Sequence, residues 1–237
     1  MCPVSRGHHH RGMTELLRAV AGRALDLALP ATCVGCAAEG PPLCHVCARR
    51  LDARLESPAG VAIGLPGDLP VPLVQLEWCA PFHGVVRDAL HAIKYTGETR
   101  IATPLGAAVA RRWSRVGVGA QVVVHVPVHA ERARQRGYDQ AERIARVAAT
   151  SLGLPHVPAL QRVRATTAQF DLDRRDRAAN VARAFAVRTD ALDRVHGRWV
   201  LLVDDVVTTG ATLAACGDAL EAAGTTAVSA IAVARER

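Results

Sequence analysis

Two neighbouring carboxylates, Asp204 and Asp205, stand between an apolar run and a turn of small residues in Val200–Thr212, VLLVDDVVTTGAT. Acids at the end of a strand can accept hydrogen bonds from the hydroxyls of a sugar. The turn Thr208-Thr209-Gly210-Ala211-Thr212 offers hydroxyl donors. Where such a turn opens a helix, free backbone N–H groups and the helix dipole favour a phosphate. One short segment therefore offers places for a 5′-phosphate and a ribose diol side by side. A plainer alternative is a buried strand that ends in Asp-Asp and runs into a Thr N-cap. That alternative accounts for Thr208 but not for the paired acids together with the Thr-Thr-Gly-Ala-Thr string.

Cysteines form the second constellation. Cys33-x-x-Cys36 and Cys44-x-x-Cys47 supply four thiolates, the ligand set of a tetrahedral structural zinc site. A segment this short cannot build its own apolar core, so a metal would hold it together. Redox dithiols and buried free thiols are the alternatives, and His45 is a spare ligand. Cys79 and Cys216 lack paired spacing and read as small buried apolar residues.

Basic residues form the third. Arg132, Arg134 and Arg136 precede Gly137 after the apolar run Gln121–Val128, and Arg162 and Arg164 open a polar stretch. Guanidinium groups grip pyrophosphate oxygens in pairs. A solvated basic helix start or a nucleic-acid patch would look the same for the first cluster, and a solvated charged loop for the second. Of 29 basic residues only Lys94 is a lysine, which suggests a specific task such as a phosphate contact. A snorkelling helix-end cation is the alternative.

The elements that must position these residues follow from hydrophobic period. Helices are expected at Thr14–Leu29, His83–Tyr95, Ile101–Val116, Tyr138–Ser151 and Ala211–Ala223, the last capped by Gly224. A helical turn is expected at Arg49–Leu55. Strands are expected at Val71–Ala80, Gln121–Val128, Ala184–Val187, Trp199–Asp204 and Thr226–Ala234. Gln161–Ala178 reads as a long loop that could cover an anionic substrate and exclude water. Alternating strands and helices predict an α/β fold with a mainly parallel sheet flanked by helices. Ser57–Pro72 is rich in Gly and Pro and reads as a linker. The expected organisation is a disordered tail over 1–13, a helix and cysteine module over 14–60, and the α/β domain over 61–237.

Half of the 237 residues are hydrophobic and only 3% aromatic, so the core must be built of Ala, Val and Leu. The net charge of +7 favours anionic partners, polyphosphate or nucleic acid. No apolar run approaches the ~18–20 residues that span a bilayer, so no membrane insertion is expected. The first residues lack a signal-peptide core. A cytoplasmic protein with reduced thiols is the expectation, with Met13 an alternative start.

The Val200–Thr212 segment resembles the phosphoribosyl pyrophosphate (PRPP) signature of type I phosphoribosyltransferases. The chain as a whole, over about residues 14–237, resembles the ComF family of competence-associated phosphoribosyltransferase-like proteins. The resemblance rests on the paired C-x-x-C hooks, Ile93-Lys94-Tyr95, Val126-Pro127-Val128 and Arg136-Gly137-Tyr138-Asp139-Gln140. It continues through Arg162-x-Arg164-x-Thr166-x-x-Gln169, Arg177-x-x-Asn180-Val181 and the signature itself. Asp139 departs from the family, which commonly has Asn there. A carboxylate at that position could repel phosphate or accept from an arginine. The resemblance implies a type I phosphoribosyltransferase-like fold with an N-terminal zinc-binding module and a Mg²⁺–PRPP site. Asp204 and Asp205 would hold the ribose hydroxyls, Thr208, Thr209, Gly210, Ala211 and Thr212 the 5′-phosphate, and the arginines the departing pyrophosphate. Its implied function is phosphoribosyl transfer to an unidentified nitrogen acceptor. The alternative is a non-catalytic PRPP- or nucleotide-binding adaptor in DNA uptake or processing.

Overall fold

The computed structural model describes residues 31–60, 69–128, 130–163 and 184–236. The expected tail, the helix at Thr14–Leu29, Arg164 and most of the long polar loop lie outside the described residues. So do residues 61–68, where the expected division between modules falls.

Four parallel strands form the main sheet: β1 (Leu73–Pro81), β2 (Val122–His125), β5 (Trp199–Val207) and β6 (Ala227–Arg235), in the spatial order β1-β6-β5-β2. Val200 to Val203 and Ala230 to Ala234 are buried without exception, as sheets covered on both faces require. Helices α2 (Gly84–His91), α3 (Ala102–Val116) and α5 (Gln140–Leu152) belong with one core, which holds Leu90, Ile93, Leu105, Ile144, Leu201 and Ile231. Helix α7 (Ala211–Ala222) belongs with the other, which holds Val200, Leu202, Leu213, Leu220 and Val228. Gly106 on α3 permits the close approach of α5. A Cβ there would lie 2.6 Å from the Ile144 carbonyl oxygen.

The expected parallel α/β sheet is found, with local differences. The strand Trp199–Val207 runs three residues past Asp204, so both acids lie inside the pairing with β6 rather than beyond it. The helix expected at His83–Tyr95 changes pitch: α2 ends at His91 and a π-helical turn covers Ala92–Thr96. Gln161 does not begin a loop. It lies in β3 (Leu160–Arg162), antiparallel to β4 (Phe185–Val187), where backbone pairing outweighs its polarity. Ala223 caps α7, and Gly224 at φ 80° takes the left-handed turn that follows.

The cysteine segment carries a short helix, α1 (His45–Ala48), followed by a 3₁₀ turn at Arg49–Asp52. Cys33, Leu43, Cys47 and Leu51 share a core cluster with Cys79, Val86 and Leu90. The chain after it is tied down by Arg112, which is 1% exposed. Its guanidinium donates to the carbonyls of Arg54 and Ser57, each at 2.6 Å, and of Pro58 at 3.2 Å. It also pairs with Glu77 at 2.7 Å.

Candidate active site and metal centre

The signature acids sit at the carboxyl end of the sheet, where open α/β folds bind ligands. Asp205 Oδ2 receives Lys94 Nζ and Gln140 Nε2, both at 2.9 Å. Asp204 Oδ1 accepts from the Asp205 backbone N–H at 2.7 Å. Burial raises the Asp204 pKa well above the usual carboxylate range, and the Asp205 charge adds to the rise. Beyond them Thr208 and Thr209 are exposed and Gly210 turns the chain at φ 78°. Gly210 is the N-cap of α7 and supplies no side chain. The first turn of a 12-residue helix thus opens beside Thr208, Thr209, Ala211 and Thr212. Ala211 N–H makes a long bond to Thr209 Oγ1 at 3.4 Å, and the Gly210 carbonyl accepts from Ala214 N–H at 2.9 Å.

Three stretches far apart in sequence meet at Asp205. The π turn carries Lys94, its side chain 18% exposed, to the carboxylate. Tyr138 Oη donates to the Ile93 carbonyl and so anchors that turn. Arg136 bonds Gln140 Oε1 at 3.0 Å and lies over the Tyr95 ring at 5.2 Å. Asp139 caps α5, accepting from Ala141 N–H at 2.9 Å and Glu142 N–H at 3.2 Å. Its other oxygen accepts from Val128 N–H at 2.9 Å, which pins the loop after β2. The carboxylate thus has a backbone task, and no arginine is needed to explain it. Asp139 followed three residues later by Glu142 is a capping signal that sequence reading missed. Gln140 was also missed as a partner of the signature acids. Its position in the Arg136–Gln140 string was the available signal.

The basic cluster is divided by helix geometry. Arg132, Arg134 and Arg136 belong to α4 (Ala130–Arg136). Positions 132 and 136 lie one turn apart, and position 134 lies on the opposite side. Arg134 is exposed and Arg136 half-buried. Arg162, on β3, lies 5.4 Å from the Phe185 ring.

Beside β2, His125 Nδ1 and His156 Nε2 are 3.1 Å apart, and His125 Nε2 lies 4.0 Å from Asp139. Burial pulls both imidazoles down to about 4, so they are neutral near pH 7.

At the other end of the chain, the Sγ atoms of Cys33, Cys36, Cys44 and Cys47 all lie within 4.8 Å of one another. Cys36 and Cys44 are 3.8 Å apart. Tetrahedral zinc with Zn–S bonds of about 2.3 Å requires sulfurs about 3.8 Å apart, so the donors fit. The Cys44 N–H donates to Cys33 Sγ at 3.3 Å and the Cys47 N–H to Cys44 Sγ at 3.5 Å. Burial opposes ionisation of Cys33, but backbone N–H groups outweigh it and pull the thiol to about 6. Burial and its thiol neighbours push Cys47 up to about 12. Four thiolates this close need a cation to coexist. Gly35 leaves the necessary space, since a Cβ there would come within 2.8 Å of Cys47 Sγ. His45 is exposed and outside the cluster.

The domain family described as "Phosphoribosyl transferase domain" matches residues 134–237. The "DNA utilization protein YhgH" of Salmonella typhi is 29% identical over 187 residues, 73% of this chain and 81% of that protein. "Competence protein F" of Haemophilus influenzae is 34% identical over 94 residues, 39% of this chain and 41% of that protein. Among solved structures, the glutamine PRPP amidotransferase from B. subtilis overlaps 60% of this chain and 30% of its own, at 21% identity and a TM-score of 0.41. No helix among the described residues is long and apolar enough to cross a membrane. Its phosphoribosyltransferase domain, its competence-related relatives and its four-cysteine cluster together support a ComF-family protein.

Proposed function

We propose that the protein binds Mg²⁺–PRPP and transfers the phosphoribosyl group to a nitrogen acceptor. The observation that carries this is the pair Asp204–Asp205, the second held by Lys94 and Gln140, shortly before a helix N-terminus. Asp204 and Asp205 take the ribose hydroxyls and Thr208–Thr212 the 5′-phosphate. The acceptor nitrogen's lone pair forms a bond to C1′ as the C1′–oxygen bond breaks, and that electron pair leaves with pyrophosphate. Arg132 and Arg136, one turn apart on α4, are the first candidates to meet that leaving polyanion, with Arg134, Arg162 and Arg164 the further cations the sequence offers. Among the described residues only the four cysteines gather as a metal-ligand set, and Asp205 Oδ2 is already occupied by Lys94 and Gln140. Magnesium is therefore expected to ride on the substrate's own oxygens, where it would neutralise pyrophosphate charge.

The cysteine cluster holds structural zinc in this reading. The module over 14–60 then serves as a metal-stiffened cover on the domain over 61–237, in the cytoplasm, where thiols stay reduced. Metal analysis should find about one zinc per chain and lose it in Cys33→Ser. A purified protein without zinc overturns the assignment.

Pyrophosphate release from PRPP, followed with magnesium across a panel of nitrogen bases, tests the transferase. Turnover that disappears in Asp204→Asn/Asp205→Asn supports it. The names of the relatives and the charge of +7 favour a second reading, an adaptor in DNA uptake that binds PRPP or a nucleotide as a signal. Binding without turnover against any acceptor selects that reading. No binding of PRPP or ribose 5-phosphate sinks both.

A further inference from the structure

A cavity of about 420 Å³ lies at the carboxyl ends of β1 and β6, lined by Trp78, Pro81, Phe82, His83 and Arg235. That volume is in the range of small-molecule sites. Its position relative to the signature acids follows from strand register. Trp78 pairs with Ala232, which pairs with Asp204. Pro81 pairs with Arg235, which pairs with Val207, the residue before the phosphate turn. The cavity is therefore level with the sugar site and displaced from β5 by one to two strand spacings, about 5–10 Å. It lies on the β6 side. Helix α4 and its arginines leave from β2, on the opposite side of β5.

The lining has a definite chemistry. In a chain with 3% aromatic residues, Trp78 and Phe82 stand together here, and Phe82 meets the His91 ring at 5.9 Å. The Arg54 guanidinium lies 4.0 Å over the Trp78 ring and that of Arg235 at 5.7 Å. Trp78 Nε1–H is buried without a hydrogen-bond partner. Two guanidiniums meet at one carboxylate beside this wall. Arg54 and Arg112 share a single carboxylate oxygen, Glu77 Oε2, at 3.5 and 2.7 Å. Burial pulls the Arg54 pKa down; the Glu77 charge opposes this, and those of Arg112 and Arg235 add to it. Aromatic faces with flanking guanidiniums suit a flat ring that bears an anionic group.

We propose that this cavity seats the acceptor, a planar heteroaromatic ring carrying a carboxylate or an equally acidic oxygen, stacked at Trp78 and Phe82 with its charge toward Arg235. The inference rests on the sugar-site reading above. A nucleophile displaces a leaving group from the opposite side, so pyrophosphate over α4 places the attacking nitrogen over β6 and β1. That nitrogen's lone pair makes the bond to C1′. Its proton, where it has one, passes to water, and the C1′–oxygen electron pair departs with pyrophosphate.

Matched pairs of rings that differ only in charge test the assignment on the full-length zinc-loaded protein. Saturation-transfer NMR with pyridine-3-carboxylate against pyridine-3-carboxamide, and quinoline-3-carboxylate against its amide, reads ring contact. Ribose 5-phosphate is titrated separately by calorimetry. Both acids are expected to bind more tightly than their amides. Arg235→Gln should weaken the acids about tenfold, the loss of one charge-assisted bond, while ribose 5-phosphate affinity stays unchanged. If Arg235→Gln unfolds, the exposed rim residue His83 serves instead, and His83→Ala should weaken the same signal. Equal acid and amide signals, or signals that ignore these substitutions, overturn the inference. Ribose 5-phosphate bound with no ring acid sinks the cavity assignment and leaves the sugar site standing. Ring acids bound without ribose 5-phosphate leave an aromatic-acid cavity but overturn its role as the acceptor seat together with the sugar site, and neither bound sinks both.

Discussion

Glu77 and Asp205 are both buried carboxylates on strands that flank β6, yet their oxygens are satisfied to different extents. Glu77, 1% exposed, has both oxygens filled. Oε1 accepts from Gln75 at 3.3 Å and from the Gly60 N–H at 3.0 Å, and Oε2 takes Arg112 and Arg54. Asp205, 7% exposed, has one oxygen filled by Lys94 and Gln140, and its Oδ1 accepts from no described residue. Saturated charge locks chain segments together and has nothing left to offer. Half-satisfied charge at a strand end, beside a helix N-terminus, leaves an acceptor oxygen open, as the proposed sugar site requires.

Breaking the saturated centre should cost most. Glu77→Ala leaves two buried guanidiniums without their counter-ion and should destabilise the fold by about 3–5 kcal/mol. For a chain of this size that lowers Tm by roughly 10 °C or more in a thermal melt. Whatever protein remains folded should bind ribose 5-phosphate with its usual affinity. A mild Tm change for Glu77→Ala would mean that the two centres are not different in kind.

Asp205→Asn should invert that pattern. Ribose 5-phosphate affinity by calorimetry is expected to fall at least tenfold, about 1.4 kcal/mol, while Tm moves by only a few degrees. Unchanged affinity would remove Asp205 from the sugar site.

Asp204 sharpens the contrast through pH. Its native pKa is raised, so the native state holds this proton to higher pH than the unfolded chain does. Ionising it therefore costs stability, which declines as pH rises from about 4 through the raised value. Asp204→Asn removes that cost and should leave Tm at pH 7 equal to or slightly above that of the parent protein. A lower Tm would mean that the ionised group stabilises the fold.

The smallest effect belongs to His125 and His156. Both native pKa values lie near 4, below the usual 6.5. The unfolded chain therefore takes up protons first as pH falls, and the pair's contribution, full above 6.5, drains away between 6.5 and about 4. The rise of Tm with pH across that window should flatten in His156→Gln. An unaltered slope would show that the pair does not titrate this way.

The legible parts of this molecule were those whose partners are near in sequence. Asp204, Asp205 and the Thr208–Thr212 turn form one continuous string, and the four cysteines need only each other. The parallel sheet was readable because its central strands are unbroken apolar runs. Glu77 carried no signal, because the arginine that explains it lies 35 residues away and is recognisable only once α3 packs on β1. The change of pitch at Ala92–Thr96 was equally hidden. It depends on the Tyr138 hydroxyl reaching the Ile93 carbonyl, and hydrophobic period cannot report a tertiary bond. The division of Arg134 from positions 132 and 136 needs a helix, and the seven residues of Ala130–Arg136 are too few and too polar to show a hydrophobic period.

That turn of altered pitch has a practical corollary. It bears the chain's single lysine, so a lysine-specific endoprotease has one bond to cut, Lys94–Tyr95. The bond begins at the side chain that holds Asp205 and runs to a tyrosine that is 71% exposed. A sugar phosphate that stiffens this corner would slow the conversion of one band into two, so an ordinary gel could follow occupancy of the site.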